Sequence, residues 1–229
     1  KSVYELVGKS GIYNTFWEPL TIGVMNTSPK EASAKVLSNV LKKTFFKGQK
    51  FCNILQPSLN WEQTLIKPSS EFIKKKGNKI QFNSLLKKIE IKNDMVTNLI
   101  FNHKKINIGD NEKVILCIPP TNLNKLLPEI ILPKDYNTIL NIHFKIKKNI
   151  LSKFKQPIFG LINSISDWVF IKHNHISVTV SNANSMNSID SDKIAKNVWE
   201  EVCLYLGEKI EFLKFQVVRE KKATYHQST

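Results

Sequence analysis

Residues 79–120 read KIQFNSLLKKIEIKNDMVTNLIFNHKKINIGDNEKVILCIPP. Short apolar runs are divided at Asn83-Ser84, Asn93-Asp94 and Asn102-His103, pairs whose polar side chains bond nearby backbone and tolerate a left-handed turn. They predict a small β-meander over 79–107. After it, Val114-Ile115-Leu116-Cys117-Ile118 is continuously apolar rather than alternating, the composition of a strand buried on both faces. Pro119-Pro120 halts it, because proline cannot donate to a ladder. Residues 121–127 predict a short helix. A meander that feeds such a strand implies a mixed α/β architecture.

Working toward the N-terminus, Ser2-Val3-Tyr4-Glu5 has the form of a capping box, so a short helix is expected to start there and stop near Gly8 to Gly11. A second apolar stretch covers 16–25, with Pro19 harmless in the first turn if Thr15 caps it. Ser28-Pro29-Lys30-Glu31 combines a cap, a proline at the first helical position and a capping glutamate. Ala32, Val36, Val40, Leu41 and Phe45 then recur at helical spacing until Gly48. Residues 51–55 read as a buried strand, and 68–76 as a helix stopped by Gly77.

Toward the C-terminus, 137–146 alternates in part, 168–171 and 176–180 predict a hairpin around 172–175, and 210–218 predicts another strand. Asp190-Ser191-Asp192 opens a helix whose stripe is Ile194, Val198, Val202 and Leu206, with Gly207 as its stop. Residues 182–188 form a low-complexity loop, and no internal repeat occurs. The C-terminal part is therefore expected to be an antiparallel sheet with one strong helix.

The chain of 229 residues is 41% hydrophobic and 10% aromatic, ordinary for a packed core. Its net charge of +15 comes from 34 basic residues, of which Arg219 is the one arginine. Phosphate and base recognition favour the guanidinium fork, so the lysine excess does not point to nucleic acid. Runs such as Lys74-Lys75-Lys76 suit peripheral contact with an anionic leaflet. Cys52, Cys117 and Cys203 are distant, odd in number and set among apolar neighbours, and are expected to be buried free thiols of a reducing, cytoplasmic compartment. No metal-ligand spacing is present, and no apolar run nears the ~20 residues needed to span a bilayer.

Catalytic motifs are sparse. No Gly-x-Gly-x-x-Gly, Walker sequence, His-Glu-x-x-His or Gly-x-Ser-x-Gly occurs. His103, His143, His173, His175 and His226 are dispersed, with His173 and His175 expected in a solvated hairpin turn and His143 on a strand. Glu200-Glu201 is expected on the solvated face of the last helix.

Longer segments carry more. Phe16-Trp17-Glu18-Pro19-Leu20, Met25-Asn26-Thr27 and Glu31-Ala32-Ser33-Ala34-Lys35-Val36 resemble the WEPL, LNT and EASA segments of the hydroxysqualene dehydroxylases, members of the amine oxidase and phytoene desaturase flavoprotein superfamily. Leu55-Gln56-Pro57, Gly77-Asn78-Lys79-Ile80 with Leu86 and Ile89, and 114–120 resemble further segments, the last a VVLAVPP strand. Asp167-Trp168-Val169-Phe170 is similar to a QWVF strand. Val218-Arg219-Glu220-Lys221-Lys222-Ala223-Thr224-Tyr225 is similar to IREKRATF, and all of these fall in the family's order.

The resemblance implies FAD as cofactor, with Leu86 placed to meet the adenine through its backbone and Ile118, Pro119 and Pro120 near the flavin. It implies a hydrophobic isoprenoid substrate in an apolar pocket, with Trp17, Glu18, Asn26 and Trp168 as candidate lining. No catalytic acid is identified. Three divisions are implied: 1–50 and 129–229 on the substrate side, and 51–128 as part of a Rossmann-like flavin domain. Members carry a phosphate-binding glycine loop before this region and a flavin-contacting segment after it, so the chain is expected to be an internal piece, poorly soluble and inactive by itself. A phytoene desaturase, an amine oxidase and a catalytically dead lipid-binding remnant are the alternatives.

Overall fold

The computed structural model describes residues 1–147, 157–172 and 174–229; His173 lies outside them. The chain divides into two compact units, Lys1–Cys52 with Pro133–Thr229, and Asn53–Leu132.

The first unit opens with α1 (Val3–Val7), whose capping box is formed by Ser2 and Glu5 as the sequence implies. A π-helical turn over Tyr13–Trp17 runs directly into α2 (Glu18–Met25). Thr15 therefore lies inside a helical turn, donating to the Ile12 carbonyl at 3.5 Å, and caps nothing. Asn26 ends α2 in the left-handed conformation at φ 48°.

The next helix begins later than its capping signal. Ser28 starts a turn, its carbonyl accepting from the Glu31 and Ala32 amides, and α3 spans Ala34–Lys43. Between turn and helix, Ala32 bridges Ser228 and Ser33 bridges Ser2. These long-range pairings hold 32–33 extended and override the local signal. Leu37, not Val36, is the buried residue of α3, and it packs with Val3, Met25 and Ala32.

The expected strand at 51–55 does not form. Gly48 at φ 101° leads into a 3-10 turn over Gln49–Phe51, and Leu55 is 90% exposed.

In the second unit, α4 (Lys67–Lys75) is preceded by another π-helical turn and followed by Gly77 at φ 80°. The meander is present as β1 (Leu86–Lys92), β2 (Met95–Phe101) and β3 (Lys105–Asn107), antiparallel in sequence order. Asn93 and Asp94, both at positive φ, make the first hairpin turn, the geometry that matches strand twist. Residues 114–118 form no strand and pair with none among the described residues, and Ile115 is 84% exposed. An apolar strand needs neighbours on both sides to bury its faces, and this unit supplies none. Only alternate residues, Val114, Leu116 and Ile118, are half-buried. α5 (Pro120–Leu126) follows, with Pro119 as its N-cap.

Returning to the first unit, β4 (Tyr136–Ile146), β5 (Ile158–Gly160), β6 (Trp168–Lys172) and β7 (His175–Val180) precede α6 (Ser191–Leu206) and β8 (Phe212–Tyr225). They form a five-stranded antiparallel sheet ordered β5-β6-β7-β4-β8. β5 carried no sequence signal that separated it from its loop. The core lies between one sheet face and α6: Leu140, Ile142, Phe144, Ile146, Val169, Ile171, Ile176 and Val178 meet Ile194, Val198, Trp199 and Val202. Each such aliphatic burial stabilises by about 1.5–3 kcal/mol.

Every ladder among the described residues is antiparallel. The fold is mixed α/β, without the doubly buried strand expected at 114–118. The thiols are not buried as expected: Cys52 and Cys117 are exposed and Cys203 is half-buried.

Candidate functional site

Because side chains alternate across a strand, the sheet face turned away from α6 is defined by register. Gly160, Trp168, Thr179, Asn141 and Val218 stand in one row across the five strands. Ile158, Phe170, Ser177, His143 and Gln216 form the next row, and Lys172, His175, Lys145 and Lys214 a third. The face therefore runs from aromatic, through neutral polar, to cationic.

α2 approaches the aromatic end so closely that a Cβ on Gly23 would lie 3.1 Å from Trp168 Nε1. A mainly apolar groove of about 280 Å³ opens beside it, lined by Phe16, Pro19, Leu20, Leu161, Ile162 and Trp168 among others. Two segments singled out in the sequence, the Trp-Glu-Pro-Leu stretch and the Trp168 strand, are thus brought together. Trp168 lines the groove; Trp17 and Glu18 are not among its lining residues. Trp17 packs edge-on against Phe16 with centroids 4.9 Å apart. Glu18 Oε1 accepts from the Tyr13 hydroxyl at 3.4 Å, and burial together with Glu18 pushes the Tyr13 phenol up to about 12.

In the middle row, the Ser177 hydroxyl lies 2.9 Å from His143 Nδ1 and 2.8 Å from His175 Nε2. The two rings stack at 5.4 Å. Burial lowers both imidazole pKa values, with Lys172 adding to the effect on each and His143 also acting on His175. His143 lies on a strand as expected, whereas His175, expected in a solvated turn, opens β7 and is half-buried. What links them is cross-strand register, which single-residue inspection does not reveal.

Asn26, the fourth substrate candidate, is only 3% exposed and belongs to the framework. Its Nδ2 donates to Thr224 at 2.9 Å, its Oδ1 accepts from the Asn182 amide, and its carbonyl accepts from Asn137 Nδ2 at 2.7 Å. Asn137 in turn accepts from Asn184, whose own oxygen takes the Thr138 amide at 2.8 Å. The network ties the end of α2 to β4, β8 and the loop before α6. Arg219 adds a second tie, donating from Nη1 to Ser191 Oγ at 2.8 Å and from Nη2 to the Ile189 carbonyl at 2.6 Å. A polar cleft of about 470 Å³ near this junction includes Glu31, Lys134, Lys221, Lys222 and His226.

Glu201, expected to be merely solvated, instead accepts from the Ile165 amide at 2.8 Å and from both the amide and hydroxyl of Ser166. It fixes the loop that precedes Trp168. Glu200 is exposed as expected.

In the second unit, Leu86 opens edge strand β1 opposite Phe101. Leu85 accepts from the Asn102 amide at 2.9 Å, so the alternation of an antiparallel ladder turns Leu86's own amide and carbonyl toward the open edge. Ile118 is half-buried at the end of the unpaired segment. The Pro119 carbonyl accepts the Asn122 and Leu123 amides, starting α5 at Pro120. To a nucleotide cofactor these residues would offer backbone groups and apolar contact. They include no glycine-rich loop for its phosphates, so they would hold only a portion of it.

The fold is shared with solved structures of two oxidases. It superimposes on a protein described as a protoporphyrinogen oxidase from Exiguobacterium with TM-score 0.66 and 14% identity, covering 99% of this chain and 56% of the other. A redesigned putrescine oxidase gives TM-score 0.71 at 11% identity, over 100% of this chain and 55% of that one.

The model of the flavin containing amine oxidoreductase family matches residues 18–228, and the chain belongs to that family. Among curated proteins it is similar to the hydroxysqualene dehydroxylase of Zymomonas mobilis, 29% identical over 94% of this chain and 51% of the relative. The proteins of that name from Sinorhizobium fredii and Rhodopseudomonas palustris are 26% and 28% identical, over 96% and 98% of this chain and 54% of each relative. The chain thus spans about half the length of these curated relatives.

Proposed function

We propose that this chain forms part of an FAD-dependent oxidoreductase that reductively removes the hydroxyl group of hydroxysqualene to give squalene. The observation that carries the reading is near-complete coverage of this chain by three relatives named for that substrate. Flavin, when bound, supplies hydride-transfer chemistry. The chain's own contribution is to bind, orient and exclude water.

In this reading Leu86 meets the cofactor through its outward backbone groups, and Ile118, Pro119 and Pro120 border it. The unpaired segment 114–118 and the exposure of Leu55, Phe82 and Ile115 are consistent with a unit that is covered by more flavin-domain structure. Trp168 and the groove beside Phe16, Pro19 and Leu20 take part of the isoprenoid chain, with Trp17 and Glu18 supporting the groove wall. Asn26 holds the framework around it. An apolar substrate needs few polar contacts, which accounts for the scarcity of catalytic motifs.

No described helix is long and apolar enough to cross a membrane. We assign the protein to the cytoplasm with peripheral contact to the membrane, where both hydroxysqualene and squalene partition.

The test is conversion. A polypeptide of the relatives' length that contains this sequence, loaded with FAD and reduced, should turn hydroxysqualene into squalene as the flavin reoxidises. Recovery of unchanged hydroxysqualene from a properly loaded, reduced protein would refute the assignment.

A further inference from the structure

The third row of the open sheet face places Lys172, His175, Lys145 and Lys214 side by side across β6, β7, β4 and β8. The three lysines are exposed and His175 is half-buried. Like charges directly opposed on a ladder repel one another. Among the described residues no carboxylate comes within ion-pair distance of any of the three lysines. With strands about 4.8 Å apart, the row is roughly 14 Å wide.

Lys145 and Lys214 are the directly opposed pair, with Lys172 two strands from Lys145 across His175, and such a spread of positive charge is relieved by an extended layer of negative charge. A discrete anion would call for converging donors, whereas these lysines stem from separate strands spread over roughly 14 Å. Lysine, a hydrated point charge, suits a diffuse layer of headgroups better than bidentate capture of one phosphate. We propose that this row is the docking surface for an anionic lipid bilayer. It deepens the function proposed above and rests on it for the cargo: the cationic end meets the leaflet, and the same face leads through Phe170 to Trp168 and the apolar groove.

The experiment is co-sedimentation of a polypeptide of the relatives' length that contains this sequence, corrected for its pellet without vesicles, with vesicles of equal parts phosphatidylglycerol and phosphatidylcholine, and with pure phosphatidylcholine, at physiological salt. Four proteins are compared: wild type, K145Q/K172Q/K214Q, K145R/K172R/K214R, and K35Q/K42Q/K43Q, which removes the same charge from exposed positions of α3. Wild type should sediment with the anionic vesicles only. The row variant should lose on the order of 100-fold in partitioning, since each lysine near such a surface is worth about fivefold. The control triple should stay within a few-fold of wild type, and K145R/K172R/K214R should bind as wild type does.

Equal losses in both glutamine triples, wild-type binding by the row variant, or equal sedimentation with neutral vesicles would overturn the proposal. So would competition by millimolar inorganic phosphate at constant ionic strength, which would mark a discrete anion site. Binding is read without flavin or substrate, so it stands or falls separately from turnover. Row-specific binding in a protein that proves unable to convert hydroxysqualene would support the docking surface while refuting the reaction.

Discussion

Replacing Asn26 by alanine should destabilise the first unit by about 3 kcal/mol. Two side-chain hydrogen bonds disappear, to Thr224 and from the Asn182 amide, each worth about 1 kcal/mol net. Alanine must also occupy φ 48°, a left-handed conformation costing it about 1 kcal/mol. Asn26→Gly loses the same bonds without that strain and should cost nearer 2 kcal/mol. Guanidinium unfolding followed by tryptophan fluorescence measures both. If Asn26→Ala lies within about 0.5 kcal/mol of wild type, the residue is not a framework tie. If glycine is as harmful as alanine, the left-handed cap carries no strain.

Glu201→Ala should free residues 165–166 from three hydrogen bonds and cost about 2–3 kcal/mol, seen as a lower unfolding midpoint and faster proteolysis of that loop; an unchanged loop would contradict its anchoring role. Acid should destabilise the first unit through His143 and His175. Both folded pKa values lie below the ordinary 6.5, so the folded state favours neutral imidazole: stability is complete above about 6.5 and falls as protonation is forced at lower pH. The His143→Gln, His175→Gln double variant should flatten that acid slope, and an unaltered slope would exonerate the pair. With a thiol reagent, Cys52 and Cys117 should react quickly and Cys203 slowly; three equal rates would contradict the packing around α6.

The elements most legible in the sequence were those whose local signals and tertiary surroundings agree. The capping box of α1, the Asp190 to Gly207 helix and the Asn93-Asp94 turn all sit where the residues place them. The signal at Ser28 to Glu31 misled because backbone bridges from Ala32 and Ser33 to Ser228 and Ser2 compete with helix formation, and neither partner is a neighbour in sequence. Residues 114–118 have strand composition without a partner, which composition cannot reveal. Of the candidate site, Trp168 and the Phe16 to Leu20 segment were legible as pieces. Their meeting, and the stacked rows of the open face, depend on register across four or five strands. The particular ties of Asn26 were not legible, because its partners Thr224, Asn137 and Asn182 come from separate parts of the chain.

The account stands most directly on single-turnover chemistry: reduced, FAD-loaded protein of the relatives' length mixed anaerobically with hydroxysqualene, with flavin absorbance and extracted hydrocarbon read together. One squalene formed per flavin reoxidised is the predicted result. Flavin that stays reduced while hydroxysqualene is recovered intact would contradict it.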